Sequence, residues 1–139
     1  AMLSQAREDQ LEALSEYGLN AGIAFQIEDD LLDIAGDEFE TGKTSQRDVS
    51  KSKPTLAIIH LLDTVSALER PNVVALLESP STKGGELRRW LDRQGSLEYA
   101  HGCARGYVDK AIAALDPIRG GDKREALIDA ARFMAERKA

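Results

Sequence analysis

The chain has few aromatic residues and no apolar run long enough to cross a bilayer. Aromatic side chains make up 5% of its 139 residues. No stretch alternates β-branched and polar residues with the period of two that a half-buried strand requires. No apolar run approaches the roughly 18 residues of a membrane-spanning helix, and the N-terminus lacks a signal-peptide pattern. We therefore expect an all-α fold without stable membrane insertion.

Charge and cysteine content restrict the partners and the compartment. The 24 acidic residues against 18 basic ones give a net charge of -6, which argues against nucleic acid or an anionic membrane as the main partner. Cys103 is the single cysteine, so an internal disulfide is excluded and a reducing cytoplasm is expected. The length predicts one domain over residues 1–139.

Hydrophobic periodicity and helix-ending residues predict six to seven helices. The first is expected over residues 4–17 and the second over residues 20–35, with Gly18 as a C-terminal stop and Asn20 as an N-cap. Later helices are expected to begin near Pro54, Val73, Leu87, Ser96 and Asp122.

The expected second helix carries an acidic stripe, which we define as Gln26, Asp29, Asp30 and Asp33. At about 100° per residue, these side chains fall within an arc of roughly 100°. The remaining circumference is largely apolar, so the stripe should face a polar cavity inside the protein; the alternative is a solvated acidic face. Neighbouring carboxylates repel one another, and a hard divalent cation relieves that repulsion. Oxygen ligands suit Mg²⁺, which takes about one or two carboxylates together with waters and phosphates.

A polar segment with four cations follows the stripe. Residues 37–52 lack apolar periodicity, and Lys43, Arg47, Lys51 and the adjoining Lys53 stand there among glycine, serine and threonine. Polar loops of this length inside compact domains are usually functional or disordered. Carboxylates that hold a cation, followed by lysines that reach the far side of the same ligand, would form a clamp for a diphosphate. The alternative is an ordinary solvent-exposed loop.

This order of elements resembles the polyprenyl synthetase family, the trans-isoprenyl diphosphate synthases. The matching pattern is Phe25-Gln26-x-x-Asp29-Asp30-x-x-Asp33, then Gly42-Lys43, Arg47-Asp48 and Lys53-Pro54-Thr55-Leu56. Flanking segments extend the resemblance over almost the whole chain. It implies a partial isoprenoid-synthase-type helical bundle, in a magnesium-dependent prenyltransferase that condenses isopentenyl diphosphate with an allylic diphosphate.

The resemblance also implies roles for the residues of the acidic stripe. Asp29 and Asp33 would bind Mg²⁺ directly or through water, and Asp30 would complete the acidic wall. Gln26 would orient groups on the isopentenyl side.

Further roles are implied for the polar segment. Lys43 and Lys53 would contact the leaving diphosphate. Arg47 and Asp48 belong to the same substrate-binding motif, in which Asp48 would order the segment by pairing with Arg47 or Lys43.

The family's first aspartate-rich motif does not occur in these 139 residues. The resemblance therefore implies a truncated, C-terminal portion that is catalytically incomplete alone. It further implies a homodimer or a partner chain that supplies the N-terminal half. The alternative function is a non-catalytic helical subunit or dimerisation module.

Three residues near or beyond the stripe have separate expectations. Glu28 stands where the family usually has an apolar residue, nearly opposite the stripe, and we expect it either to pair with a cation or to be exposed. His60 and His101 have no partners at metal-ligand spacing, so we interpret both as structural or surface residues.

Overall fold

The computed structural model describes residues 6–36, 54–79 and 84–135, and every regular element in these ranges is a helix. The elements are α1 (Glu8–Gly36), α2 (Leu56–Thr64), α3 (Arg70–Glu78), α4 (Gly84–Arg93), α5 (Ser96–Ala114) and α6 (Asp122–Ala135). The all-α fold with six to seven helices is thereby confirmed. None of the described helices combines the length and apolar character that crossing a bilayer requires.

The expectation of two helices separated at Gly18 is wrong, because α1 runs without a break from Glu8 to Gly36. Its buried side chains recur every three or four positions on both sides of that glycine: Ala13, Tyr17, Ala21, Ala24, Ile27, Glu28 and Leu31. Burial of this continuous face outweighs the about 1 kcal/mol that a glycine costs inside a helix. Asn20 is not an N-cap, because it lies inside α1. Its Nδ2 donates to the Glu16 carbonyl at 2.8 Å.

The chain divides into two compact units, and both divisions fall inside helices. The first unit holds the described residues up to Glu28 and those from His101 onward. Its core contains Tyr17, Ala21, Ala24, Val108, Ala111, Leu115, Ile128 and Ala131. The Tyr17 hydroxyl donates to the Leu127 carbonyl at 2.7 Å. Buried alanines on α1, α5 and α6 allow these helices to pack closely.

The second unit runs from Asp29 to Ala100. Within it, α4 packs against α2 and α3, and Leu61, Val73 and Leu91 are fully buried. Thr55 caps α2, because its Oγ1 accepts a hydrogen bond from the Ile58 amide at 3.4 Å. This N-cap agrees with the prediction of a helix that begins near Pro54.

Candidate functional site

The acidic stripe lies along one continuous helix, so its internal spacing follows from helix geometry alone. Asp29 and Asp30 are half-buried, whereas Gln26 and Asp33 are exposed. On the other sides of α1, Ala24 is fully buried, but Phe25 is 39% exposed. The expectation of an almost wholly buried helix is therefore too strong at Phe25. The stripe itself is an accessible polar face of α1, and the opposite face of this helix is buried.

The chemistry of this stripe suits a cation whose shell the protein fills only in part. In the ranges that the structure describes, no three His, Cys, Asp or Glu side chains form a group that could hold a metal ion. A closed protein cage is therefore not present there. Magnesium, however, is usually bound through about one or two carboxylates, with waters and substrate phosphates as its other ligands. The carboxylates of Asp29 and Asp33, one helical turn apart, fit that limited role.

The remaining predicted site residues, Lys43, Arg47, Asp48 and Lys53, lie outside the described residues. Their role in a diphosphate clamp stays a prediction. The described chain resumes at Pro54, immediately after Lys53, and Thr55 then caps α2.

On the side of α1 opposite the stripe, Glu28 pairs with His101 of α5. The Glu28 side chain is 1% exposed, and its Oε1 lies 3.0 Å from Nδ1 of His101. Its Oε2 is buried and has no hydrogen-bond partner among the described residues. A hydrogen bond thus joins His101 Nδ1 and Glu28 Oε1. Of the two alternatives for Glu28, exposure is wrong, because this side chain is buried against His101 and hydrogen-bonded to it.

The sequence predicts the surroundings of Glu28 and of His101 separately, but not the contact between them. Glu28 stands on the apolar side of α1, and His101 precedes Ala104 and Val108, which are buried on α5. Helical periodicity can place each residue near a buried face. It cannot join them, because 73 positions separate them along the chain.

His60 has a structural environment in the second unit. Its ring stacks on Tyr99, with the ring centroids 4.1 Å apart. Its Nδ1 lies 3.0 Å from Oγ of Ser96, and Ser96 is fully buried. A serine without solvent access cannot meet a substrate, so this Ser–His pair is packing and not a nucleophilic site.

Comparison with known proteins assigns the chain to a family. Residues 1–93 match the family model described as polyprenyl synthetase. The chain belongs to the polyprenyl synthetase family and corresponds to a C-terminal portion of its members. The resemblance drawn from the acidic stripe is therefore confirmed.

Among its curated relatives, the chain is 36% identical to the geranylgeranyl diphosphate synthase of Saccharolobus solfataricus, over 99% of this chain and 42% of that protein. It is 34% identical to the short chain isoprenyl diphosphate synthase of Methanothermobacter thermautotrophicus, over 99% of this chain and 43% of that protein. The chain thus spans less than half the length of these relatives.

Solved structures likewise match almost all of this chain and less than half of their own length. The geranylgeranyl pyrophosphate synthetase of Pyrococcus horikoshii matches 95% of this chain and 41% of its own, with a TM-score of 0.79 and 32% identity. A polyprenyl synthase from Caulobacter crescentus, solved with calcium and isoprenyl diphosphate, matches 96% of this chain and 42% of its own, with a TM-score of 0.78 and 32% identity.

Proposed function

We propose that this chain forms one wall of the diphosphate site in a cytoplasmic, magnesium-dependent trans-prenyltransferase of isoprenoid biosynthesis. The proposed reaction joins isopentenyl diphosphate to an allylic diphosphate. The supporting observation is the acidic stripe on the accessible face of α1 in a chain of the polyprenyl synthetase family. The relative from Caulobacter crescentus, which is complexed with calcium and isoprenyl diphosphate, adds support from a divalent cation and a related ligand.

In this proposal the stripe binds the metal side of the substrate. Asp29 and Asp33 hold Mg²⁺, Asp30 adds negative charge to the same wall, and Gln26 orients the isopentenyl side. Bound magnesium would neutralise the diphosphate and stabilise it as a leaving group. The carboxylates fulfil this role when they are held in one geometry.

The polar segment supplies the opposite charge in the same proposal. Lys43 and Lys53 contact the leaving diphosphate, while Arg47 and Asp48 bind and order the segment. Cleavage of the allylic C–O bond places negative charge on the leaving oxygen. Ammonium groups fixed beside that oxygen stabilise the transition state more than the ground state.

A second candidate is a non-catalytic helical subunit that forms a homodimer or joins a partner chain with the first aspartate-rich motif. Exposed apolar side chains in the first unit favour association; among them, Leu19 is 65% exposed and Phe133 is 69% exposed. Under either candidate, we propose that the chain alone does not condense the two substrates. Product formation by the purified chain with magnesium would contradict that part of the proposal.

Calorimetry tests the proposed metal–diphosphate site. We expect inorganic diphosphate to bind the wild-type chain in the presence of Mg²⁺. Asp29→Asn should weaken that binding by at least about tenfold, because it removes a carboxylate that binds Mg²⁺ directly or through water. Glu12→Gln is the matched control, since it removes an exposed carboxylate from the same helix far from the stripe. Equal affinities for wild type, Asp29→Asn and Glu12→Gln would refute the assignment of the stripe.

A further inference from the structure

We propose that Glu28 and His101 are a positioning pair, which sets the rotation of α1 about its axis and thereby aims the acidic stripe. The inference deepens the proposed function and rests on it. Glu28 and His101 touch neither metal nor substrate in this account. They act through Asp29 and Asp33, which follow Glu28 on α1.

The geometry of a helix makes rotation consequential for a metal ligand. Side-chain ends lie about 5–6 Å from the helix axis, so a rotation of about 10° moves a carboxylate by roughly 1 Å. Metal and substrate sites tolerate only about 0.5 Å of such displacement. A contact that fixes the rotation next to Asp29 therefore has direct influence on the stripe.

Several contacts hold α1, and the Glu28 contact is the polar one beside Asp29. Tyr17, Ile27 and Leu31 are buried on the same side of the helix as Glu28, and the Tyr17 hydroxyl donates to the Leu127 carbonyl farther along α1. The hydrogen bond between Nδ1 of His101 and Oε1 of Glu28 is directional, at 3.0 Å. His101 is itself carried by a well-packed element, because Ala104 and Val108 of α5 are buried.

Stability alone does not account for a carboxyl group at position 28. Its Oε2 is buried with no partner in the described chain, and an unsatisfied buried acceptor lowers stability. An apolar side chain of similar volume would remove that cost. A polar side chain that reduces stability while holding a directional contact beside metal ligands fits a functional role.

Four variants separate positioning from simple packing. Glu28→Leu and His101→Leu remove the hydrogen bond and keep the bulk. Glu28→Gln and His101→Asn each keep an amide group that can donate or accept the hydrogen bond. Each variant is measured by thermal unfolding and by calorimetric titration with magnesium and inorganic diphosphate, beside wild type and Asp29→Asn.

We expect the leucine variants to lose affinity for magnesium diphosphate without a matching loss of stability in Glu28→Leu. Both leucine variants should bind magnesium diphosphate roughly tenfold more weakly, the low end of the loss seen when groups that orient metal ligands are removed. Glu28→Leu should nevertheless unfold at the wild-type temperature or above it. Glu28→Gln and His101→Asn should retain near wild-type affinity.

Two outcomes would overturn the inference while the proposed function stands. One is unchanged affinity in both leucine variants while Asp29→Asn loses binding. The other is an equal loss in Glu28→Gln and Glu28→Leu, which would assign the effect to charge and not to the hydrogen bond. If wild type and Asp29→Asn are indistinguishable, the proposed function itself fails.

Discussion

Tyr17 shows at the scale of one residue how a polar tip is accommodated in an apolar core. Its ring belongs to the core of the first unit, and its hydroxyl donates to the Leu127 carbonyl at 2.7 Å. Burial raises the pKa of the Tyr17 phenol above its ordinary value. The folded state therefore favours the neutral phenol, which can donate this hydrogen bond.

Replacing Tyr17 by phenylalanine should lower the free energy of unfolding by about 1 kcal/mol at neutral pH, because the Leu127 carbonyl loses its donor. Since the folded-state pKa is the higher one, the stability that Tyr17 contributes is fully present below the unfolded-state pKa of about 10. It is lost as the pH rises through the folded-state pKa. Urea unfolding at neutral and alkaline pH measures both effects.

The alkaline loss of stability should thus be steeper in wild type than in Tyr17→Phe. Tyr107→Phe is the matched control, because it keeps the ring that faces the Lys110 ammonium at 4.7 Å. Parallel pH profiles for wild type and Tyr17→Phe would contradict the account of the buried phenol.

At the scale of the element, local sequence signals predict most helix ends but fail inside α1. Gly95 has φ 65° and separates α4 from α5, and Asp122 begins α6, as their types predict. Gly18 and Asn20 have the same local character, yet α1 continues through them. The difference is tertiary, because a single buried face extends along α1 on both sides of Gly18.

Substitution of Gly18 by alanine tests the continuity of α1. We expect Gly18→Ala to raise the free energy of unfolding by up to about 1 kcal/mol, because alanine is the better helix former. A Cβ at Gly18 meets no heavy atom within 4 Å, counted over the described residues and apart from the helix's own nearby backbone. Thermal unfolding provides the measurement.

Gly95→Ala serves as the opposite control. Its positive φ of 65° disfavours a side chain by roughly 1–2 kcal/mol, so this variant should be less stable than wild type. A loss of stability in Gly18→Ala similar to that in Gly95→Ala would mean that α1 is interrupted at Gly18.

At the scale of the whole molecule, the sequence predicts those site residues that lie close together along the chain. It does not predict the contact between residues that are far apart in the chain. The spacing of Gln26, Asp29, Asp30 and Asp33 defines one helix face without any tertiary information, and the family match confirms the resemblance drawn from that spacing. The contact between Glu28 and His101 spans 73 positions, and no local pattern specifies such a pairing.

Binding of a divalent cation with diphosphate at the stripe can be examined by locating the cation in solution. Mn²⁺ can replace Mg²⁺ as a paramagnetic probe, in backbone amide spectra of the chain recorded with inorganic diphosphate. Glu12 is the internal reference, about 25 Å from Asp29 along the same helix at about 1.5 Å per residue. We predict that substoichiometric Mn²⁺ broadens the signals between Gln26 and Asp33 and leaves those around Glu12 sharp. Strongest broadening at another part of the chain, or equal broadening along α1, would show that the stripe is not the cation site.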